Sequence, residues 1–256
     1  MTLLTIDLNC DMGEFEEPDR LAAQERLMPL FTSISVACGG HAGTRETMRH
    51  TVQAALAHGC AVGAHPGFKD ADGFGRRDVS ATAEAIEQLI IEQLHTLGGV
   101  AATAGATLRH IKPHGALYAR AASDPEAARG IVRAIRATGL DLIVVGLSGG
   151  QLIAAARAEG LAAAEEVFLD RAYRRDGTLV PRDRPNALIV EPTDIAARLH
   201  TLVRDGTLRA EDGTTLHVRP DTLCLHFDTP NAEQLASTAR AELLNLGVQI
   251  ASMRGQ

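Results

Sequence analysis

The 256-residue chain is 45% hydrophobic and 22% charged, with ten histidines and a formal net charge of −7. This is the composition of a globular protein that buries a core without disulfide or metal staples. A mean hydropathy of −0.01, no apolar run near 18 residues, a pI near 5.8 and no Lys/Arg run argue against a membrane span, a nucleic-acid partner or an anionic membrane surface.

Trp is absent and aromatics reach only 3%, which leaves little for stacking sugars or bases. No basic n-region opens the chain, so no signal peptide is expected and a cytoplasmic location is. The four cysteines, Cys10, Cys38, Cys60 and Cys224, form no Cys-x-x-Cys pair and are expected as buried small hydrophobes.

Strand-like runs recur at Leu3–Leu8, Ser33–Cys38, Cys60–Ala64, Leu108–Ile111, Leu142–Val145, Val167–Leu169 and Leu223–His226. Helical patterns separate them. After Thr44, the face Met48, Val52 and Leu56 closes at Gly59, and Ile86, Leu89, Ile90 and Leu94 repeat that spacing before Gly98-Gly99. Ser123-Asp-Pro-Glu126 reads as a capping box ahead of Ile131, Val132 and Ile135, with a stop at Gly139. Further helices are expected over Gln151–Glu159, Thr193–Arg204 and Pro230–Leu246.

Strand–helix alternation implies parallel pairing through right-handed crossovers. One stretch, 207–218, alternates on both sides of Asp212-Gly213 and predicts a type I′ hairpin excursion. No linker, repeat or low-complexity tract divides the chain. The expected fold is α/β: one domain over residues 1–256, an irregular barrel of about seven parallel strands, with a doubly wound open sheet as the alternative.

Polar residues without an obvious structural task fall just after the strands. They are Asp7, Asn9, Asp11 and Glu14, then His41, His65, Lys112 and His114, then Asp170, Arg171 and His226. In parallel α/β folds the carboxyl ends of the strands open onto one rim, where sites are built. Asp7, Asn9 and Asp11 share one strand face at a period of two. His41, His65, His114 and His226 suit acid–base work or metal ligation, whereas His50, His58, His95, His110, His200 and His217 read as solvated or capping residues. Gly73-Phe-Gly-Arg76-Arg77 sets two cations beside flexible backbone and fits a carboxylate or phosphate, or a solvated turn. Gly146-Leu-Ser148-Gly-Gly150 matches a nucleophile elbow without an oxyanion loop before it, and Walker and Rossmann signatures are absent.

Taken together, Asp7-Leu-Asn-Cys-Asp-Met-Gly-Glu14, Ala37-Cys-Gly-Gly-His-Ala-Gly43, Gly63-Ala-His-Pro-Gly67, Gly73-Phe-Gly-Arg-Arg77 and Lys112-Pro-His-Gly-Ala-Leu-Tyr118 resemble the LamB/YcsF family. Glu166-Val-Phe-Leu-Asp-Arg-Ala-Tyr173, Asp176-Gly177, Leu179-Val-Pro-Arg182 and Cys224-Leu-His-Phe-Asp-Thr-Pro230 continue the likeness across nearly the whole chain. The resemblance implies a barrel of the glycoside hydrolase/deacetylase type. It also implies the activity of a 5-oxoprolinase: cleavage of 5-oxo-L-proline to L-glutamate coupled to ATP hydrolysis, with MgATP, this chain serving as the A component beside the B and C subunits. Gly40 stands where many members carry Phe, and Phe227 where many carry Gly; the first is expected to open space beside His41 and the second to narrow it beside His226.

On that reading Asp11 or Glu14 positions or deprotonates water, and His41, His65 and His114 shuttle protons. A possible divalent metal falls to His41, His65 and Asp11. Asn9, Arg76, Arg77, Lys112, Asp170, Arg171 and His226 are the candidates for binding substrate or phosphate. Two rival functions use the same rim: a metal-dependent hydrolase or deacetylase of a small amide working without ATP, and a non-catalytic substrate-binding subunit.

Overall fold

The computed structural model describes residues 4–253, so Leu3 of the first expected strand lies outside the described residues. Strand β1 (Thr5–Met12) is followed by α1 (Pro18–Leu27), β2 (Ser33–Ala37), α2 (Arg45–Ala57), β3 (Ala61–His65), α3 (Ala83–Thr103) and β4 (His110–Ile111). Then come α4 (Gly115–Ser123), α5 (Pro125–Thr138), β5 (Ile143–Leu147), α6 (Gln151–Ala158), β6 (Ala163–Phe168) and α7 (Pro192–Asp205). The hairpin β7 (Thr207–Arg209) and β8 (Thr215–His217), β9 (Thr222–Cys224), α8 (Ala232–Asn245) and β10 (Gln249–Ile250) complete the order.

Seven strands, β1-β2-β3-β4-β5-β6-β9, pair in parallel, and β9 also pairs with β1. That last ladder, Asp7 against Thr222 and Asn9 against Cys224, closes the barrel and excludes the open sheet. β10 adds to the start of β1 outside the ring. On β1 the residues Ile6, Leu8, Cys10 and Met12 are buried in the apolar core, while Asp7, Asn9 and Asp11 hydrogen-bond or pair with inward-facing groups of other strands. All four cysteines are buried and free. Among the described residues no helix is long and apolar enough to cross a membrane.

Local chemistry sets the element ends. Thr44 and Thr47 cap α2 reciprocally, each side chain serving the other's backbone amide. Four details depart from the sequence expectations. α3 runs through Gly98-Gly99 to Thr103, because burial of Leu94, Leu97 and Ala101 outweighs the glycine penalty of about 1 kcal/mol each. Asp124, not Ser123, caps α5: Pro125 holds its predecessor extended, and the Asp124 side chain accepts from the Glu126 amide while Ser123 still closes α4. In the hairpin only Gly213 has positive φ (86°), and its amide donates to Ala210 O, so the turn is not type I′. β6 begins at Ala163 rather than Val167, and this brings Glu166 into the barrel.

Candidate active site

The carboxyl ends of β1, β2, β3, β4, β6 and β9 deliver the polar residues to one end of the barrel, around a cavity of about 1040 Å³. The interior beneath it is itself polar. Asp7 accepts from Thr32, Ser33 and Thr222, and Asn9 donates to Glu166 at 2.9 Å and Thr222 at 2.7 Å. Lys112 Nζ sits 2.8 Å from Glu166, 3.0 Å from Asp11 and 2.9 Å from Asn9 Oδ1. Burial alone would strip Lys112 of its proton, but the neighbouring carboxylates reverse this and hold it charged, well above its ordinary range.

Above Lys112, three imidazole rings and two carboxylates converge. His41 Nε2 lies 2.9 Å from Glu14 Oε1, His114 Nδ1 lies 3.2 Å from the same oxygen, and His65 Nε2 lies 3.3 Å from Asp11. His41 and His114 stack at 3.5 Å with 5° between their planes. Gly75, at φ 63°, makes that stack possible: a Cβ there would sit 2.6 Å from His41 and 2.8 Å from His114. Burial pushes His65 down to about 3 and also lowers His41, so both are neutral near pH 7. Burial opposes ionisation of Glu14, but its close contacts with the His114 and His41 rings outweigh it and keep the carboxyl well below its usual range. Asp11 is likewise held at about 2 against burial, by the neighbouring His65 ring and the Lys112 ammonium.

Two backbone carbonyls fix the ring tautomers. His65 Nδ1 donates to Lys112 O at 2.7 Å, and His114 Nε2 donates to Phe74 O at 2.8 Å. In neutral rings this leaves lone pairs on His65 Nε2 and His114 Nδ1, which face each other at 2.9 Å. Such a contact is attractive only with a proton or a cation between the rings. Donation of the outer N–H to a carbonyl is also how metal-ligating histidines are oriented. Ligand atoms of Glu14, His41, His65 and His114 lie within 4.8 Å of one another. The set with metal-site geometry therefore contains Glu14 and His114 in place of Asp11, which groups with Cys224 and His226.

His226 forms the other flank. Its Nδ1 meets Asp170 at 2.9 and 3.0 Å, and Asp170 also accepts from the His226 amide and the Thr229 hydroxyl. His226 stacks on Phe168 at 5.3 Å. Arg76, Arg171, Lys112 and His226 line the cavity. Arg77 does not: it pairs with Asp70, which also accepts from the Gly73 amide. Ser148 of the elbow-like motif donates to Glu165 at 2.5 Å, a carboxylate also held by Arg157.

Two sequence expectations change here. His110 is not solvated; it is fully buried, its ring lying over Gly63 of β3 and 3.1 Å from Ser35 of β2, and burial pushes it to about 3. Gly40 opens no space beside His41, because a Cβ there would meet Gly67 O at 2.4 Å and Gln93 Oε1 at 2.6 Å. The Gln93 amide clasps both backbone groups of Gly67 and fills that volume. Phe227 lines the cavity, its ring 5.8 Å from Phe15, which in turn stacks on Phe74 at 6.0 Å. Glu166, Arg182 and Asp228 carry charge into this site although sequence reasoning assigned them no role. Counting back by two from Phe168 would have placed Glu166 inside.

Residues 6–256 match the LamB/YcsF family model. The chain belongs to the LamB/YcsF family. It is similar to the 5-oxoprolinase A-type subunit of Methylococcus capsulatus, 47% identical over 98% of this chain and 96% of that one. The corresponding 5-oxoprolinase subunit of Bordetella parapertussis is 48% identical over 96% and 97%. Among solved structures, the lactam utilization protein of Thermus thermophilus superposes with a TM-score of 0.87 at 38% identity, covering 98% of this chain and all of that one. This LamB/YcsF chain thus shares its fold with a lactam utilization protein.

Proposed function

We propose that this chain is the lactam-hydrolysing subunit of an ATP-dependent 5-oxoprolinase, acting with B and C subunits and MgATP to convert 5-oxo-L-proline to L-glutamate, ADP and phosphate. The observation that carries this reading is the convergence of Asp11, Glu14, His65 and His114 in one cavity, in a chain whose relatives are named as 5-oxoprolinase subunits. An unstrained lactam is resonance-stabilised, so its opening needs activation. Phosphorylation of the lactam oxygen gives an imidate whose carbon accepts water. The C–N bond then breaks as the nitrogen takes a proton, and a second water releases phosphate from the resulting acyl phosphate.

Asp11 and Glu14, both ionised, are the acceptors for the proton of attacking water, and the stacked His41–His114 pair carries it away. Asp170 fixes the His226 tautomer by holding the Nδ1 proton, which leaves Nε2 free to take a proton from the attacking water and pass it to the leaving nitrogen. Lys112 helps keep Asp11 ionised and holds Asp11 and Glu166 in register.

A second reading, a metal-dependent hydrolase of small amides needing no ATP, is favoured by the facing lone pairs of His65 and His114 beside Glu14. These residues fit a divalent cation, which when bound supplies Lewis-acid activation of water or carbonyl. The two readings separate in one assay. Glutamate release that requires both MgATP and the partner subunits supports the first. Amide cleavage by the isolated, metal-loaded chain without ATP replaces it with the second.

A further inference from the structure

The cavity carries a second set of charges that the hydrolytic cluster does not use. Arg171, just past β6, is only 7% exposed. Its Nη2 donates to Val180 O at 2.6 Å, but its Nε is buried and has no partner. An unsatisfied buried donor is costly, more so when charged, so such a group is retained where a ligand supplies the acceptor. Burial, and then the positive charges of Arg182 and Arg76, depress Arg171 to about 10. Arg182 and Arg76 share one carboxylate, Asp228, at 3.0 Å each. Asp170, adjacent in sequence, has its oxygens engaged by His226 and Thr229. Of these three guanidinium groups lining the cavity, Arg76 and Arg182 share the Asp228 carboxylate, while Arg171 donates to the Val180 carbonyl.

We propose that Arg171, Arg182 and Arg76 form an oxyanion subsite of the cavity, with the buried Nε of Arg171 as its anchoring donor. The ligand class is an oxyanion borne by a small substrate: its own carboxylate, or a phosphoryl group placed on it. Only the identity of that substrate rests on the hydrolase reading. The cavity, at about 1040 Å³, has room for a five-membered lactam and for such a group beside it. Charge-assisted contacts from a guanidinium suit both planar carboxylates and tetrahedral phosphates.

The test is calorimetric binding to the full chain at pH 7 with three probes: inorganic phosphate, 5-oxo-L-proline, and 2-pyrrolidinone, which lacks the carboxylate. The wild type binds phosphate or 5-oxo-L-proline at millimolar concentrations, and Arg171→Gln and Arg182→Gln weaken that binding tenfold or more. 2-Pyrrolidinone is unaffected. Loss confined to phosphate makes the phosphoryl group the tenant; loss that includes 5-oxo-L-proline makes it the carboxylate. Arg182→Gln, at a partly exposed position, keeps the test open if the buried Arg171 variant fails to fold. Arg133→Gln, on the outer surface of α5, leaves binding unchanged. No binding of either anion by the wild type, or equal binding by Arg182→Gln, overturns the subsite. Failure of glutamate release with phosphate binding intact would instead sink the hydrolase reading and leave the subsite standing.

Discussion

His65 Nε2 and His114 Nδ1 face each other at 2.9 Å, while the far nitrogen of each ring donates to a backbone carbonyl, Lys112 O or Phe74 O. The two carbonyls leave neither ring a proton to offer the other in its neutral form. The pair therefore awaits a proton or a cation, with the Glu14 carboxylate 3.2 Å from His114. The site's chemistry follows from that arrangement more than from any single residue.

The first prediction concerns that cation. On the metal-dependent reading, mass spectrometry of the metal content after dialysis against zinc or cobalt should find one equivalent per chain. Chelation should lower the melting temperature, as removal of any ligand specific to the folded state does. His114→Asn should weaken metal binding about tenfold or more. Wild-type chain that retains no metal, with a chelator-independent melting temperature, would contradict the metal assignment.

Seven strands were legible because a parallel strand buried on both faces reads as a short apolar run. Closure was not, since the β1–β9 register depends on pairs such as Asn9–Cys224 that lie far apart in sequence. The rim was legible for the same reason as the strands: Glu14, His41, His65 and His114 each follow one. Their tautomers were not, because they depend on carbonyls of Lys112 and Phe74 that fold in from elsewhere. His110 was misread because a lone histidine carries no sign of the Ser35 hydroxyl two strands away, reached over Gly63.

Acid should unfold the protein early, and His110 explains part of it. Unfolded histidine titrates near 6.5, whereas burial holds His110 at about 3. From about pH 6.5 downward the unfolded chain binds the extra proton, so stability falls with falling pH, by up to about 1.4 kcal/mol per pH unit for this ring. Urea midpoints at pH 7, 6 and 5 measure the slope. His110→Asn should flatten it, and an unchanged slope in that variant would remove His110 from the explanation.

Gly40 should resist enlargement. Gly40→Ala places a methyl against Gly67 O and Gln93 Oε1, an overpacking cost of about 1–3 kcal/mol. Shortening Gln93 to Ala should recover only part of it in a double-mutant cycle, since the Gly67 carbonyl remains. Full recovery would show that the side chain alone sets the limit.

Phe227 should set substrate size. Phe227→Gly removes a wall of the cavity beside Phe15, so lactams bearing an added alkyl group should gain about tenfold or more in kcat/KM relative to the unsubstituted ring. Unchanged relative kcat/KM values would place the size limit elsewhere in the cavity.

On the proposed mechanism, the chemistry of lactam opening occurs on this chain. The most direct test is glutamate release from 5-oxo-L-proline by the assembled, MgATP-supplied complex, with wild-type chain or with Asp11→Asn. The substitution keeps the shape of the side chain beside His65 and Lys112 while removing its charge. The account predicts a loss of about a hundredfold or more with the folded structure unchanged by circular dichroism. Equal rates from the two complexes would contradict it and move the catalytic step to a partner, leaving this barrel to hold the substrate.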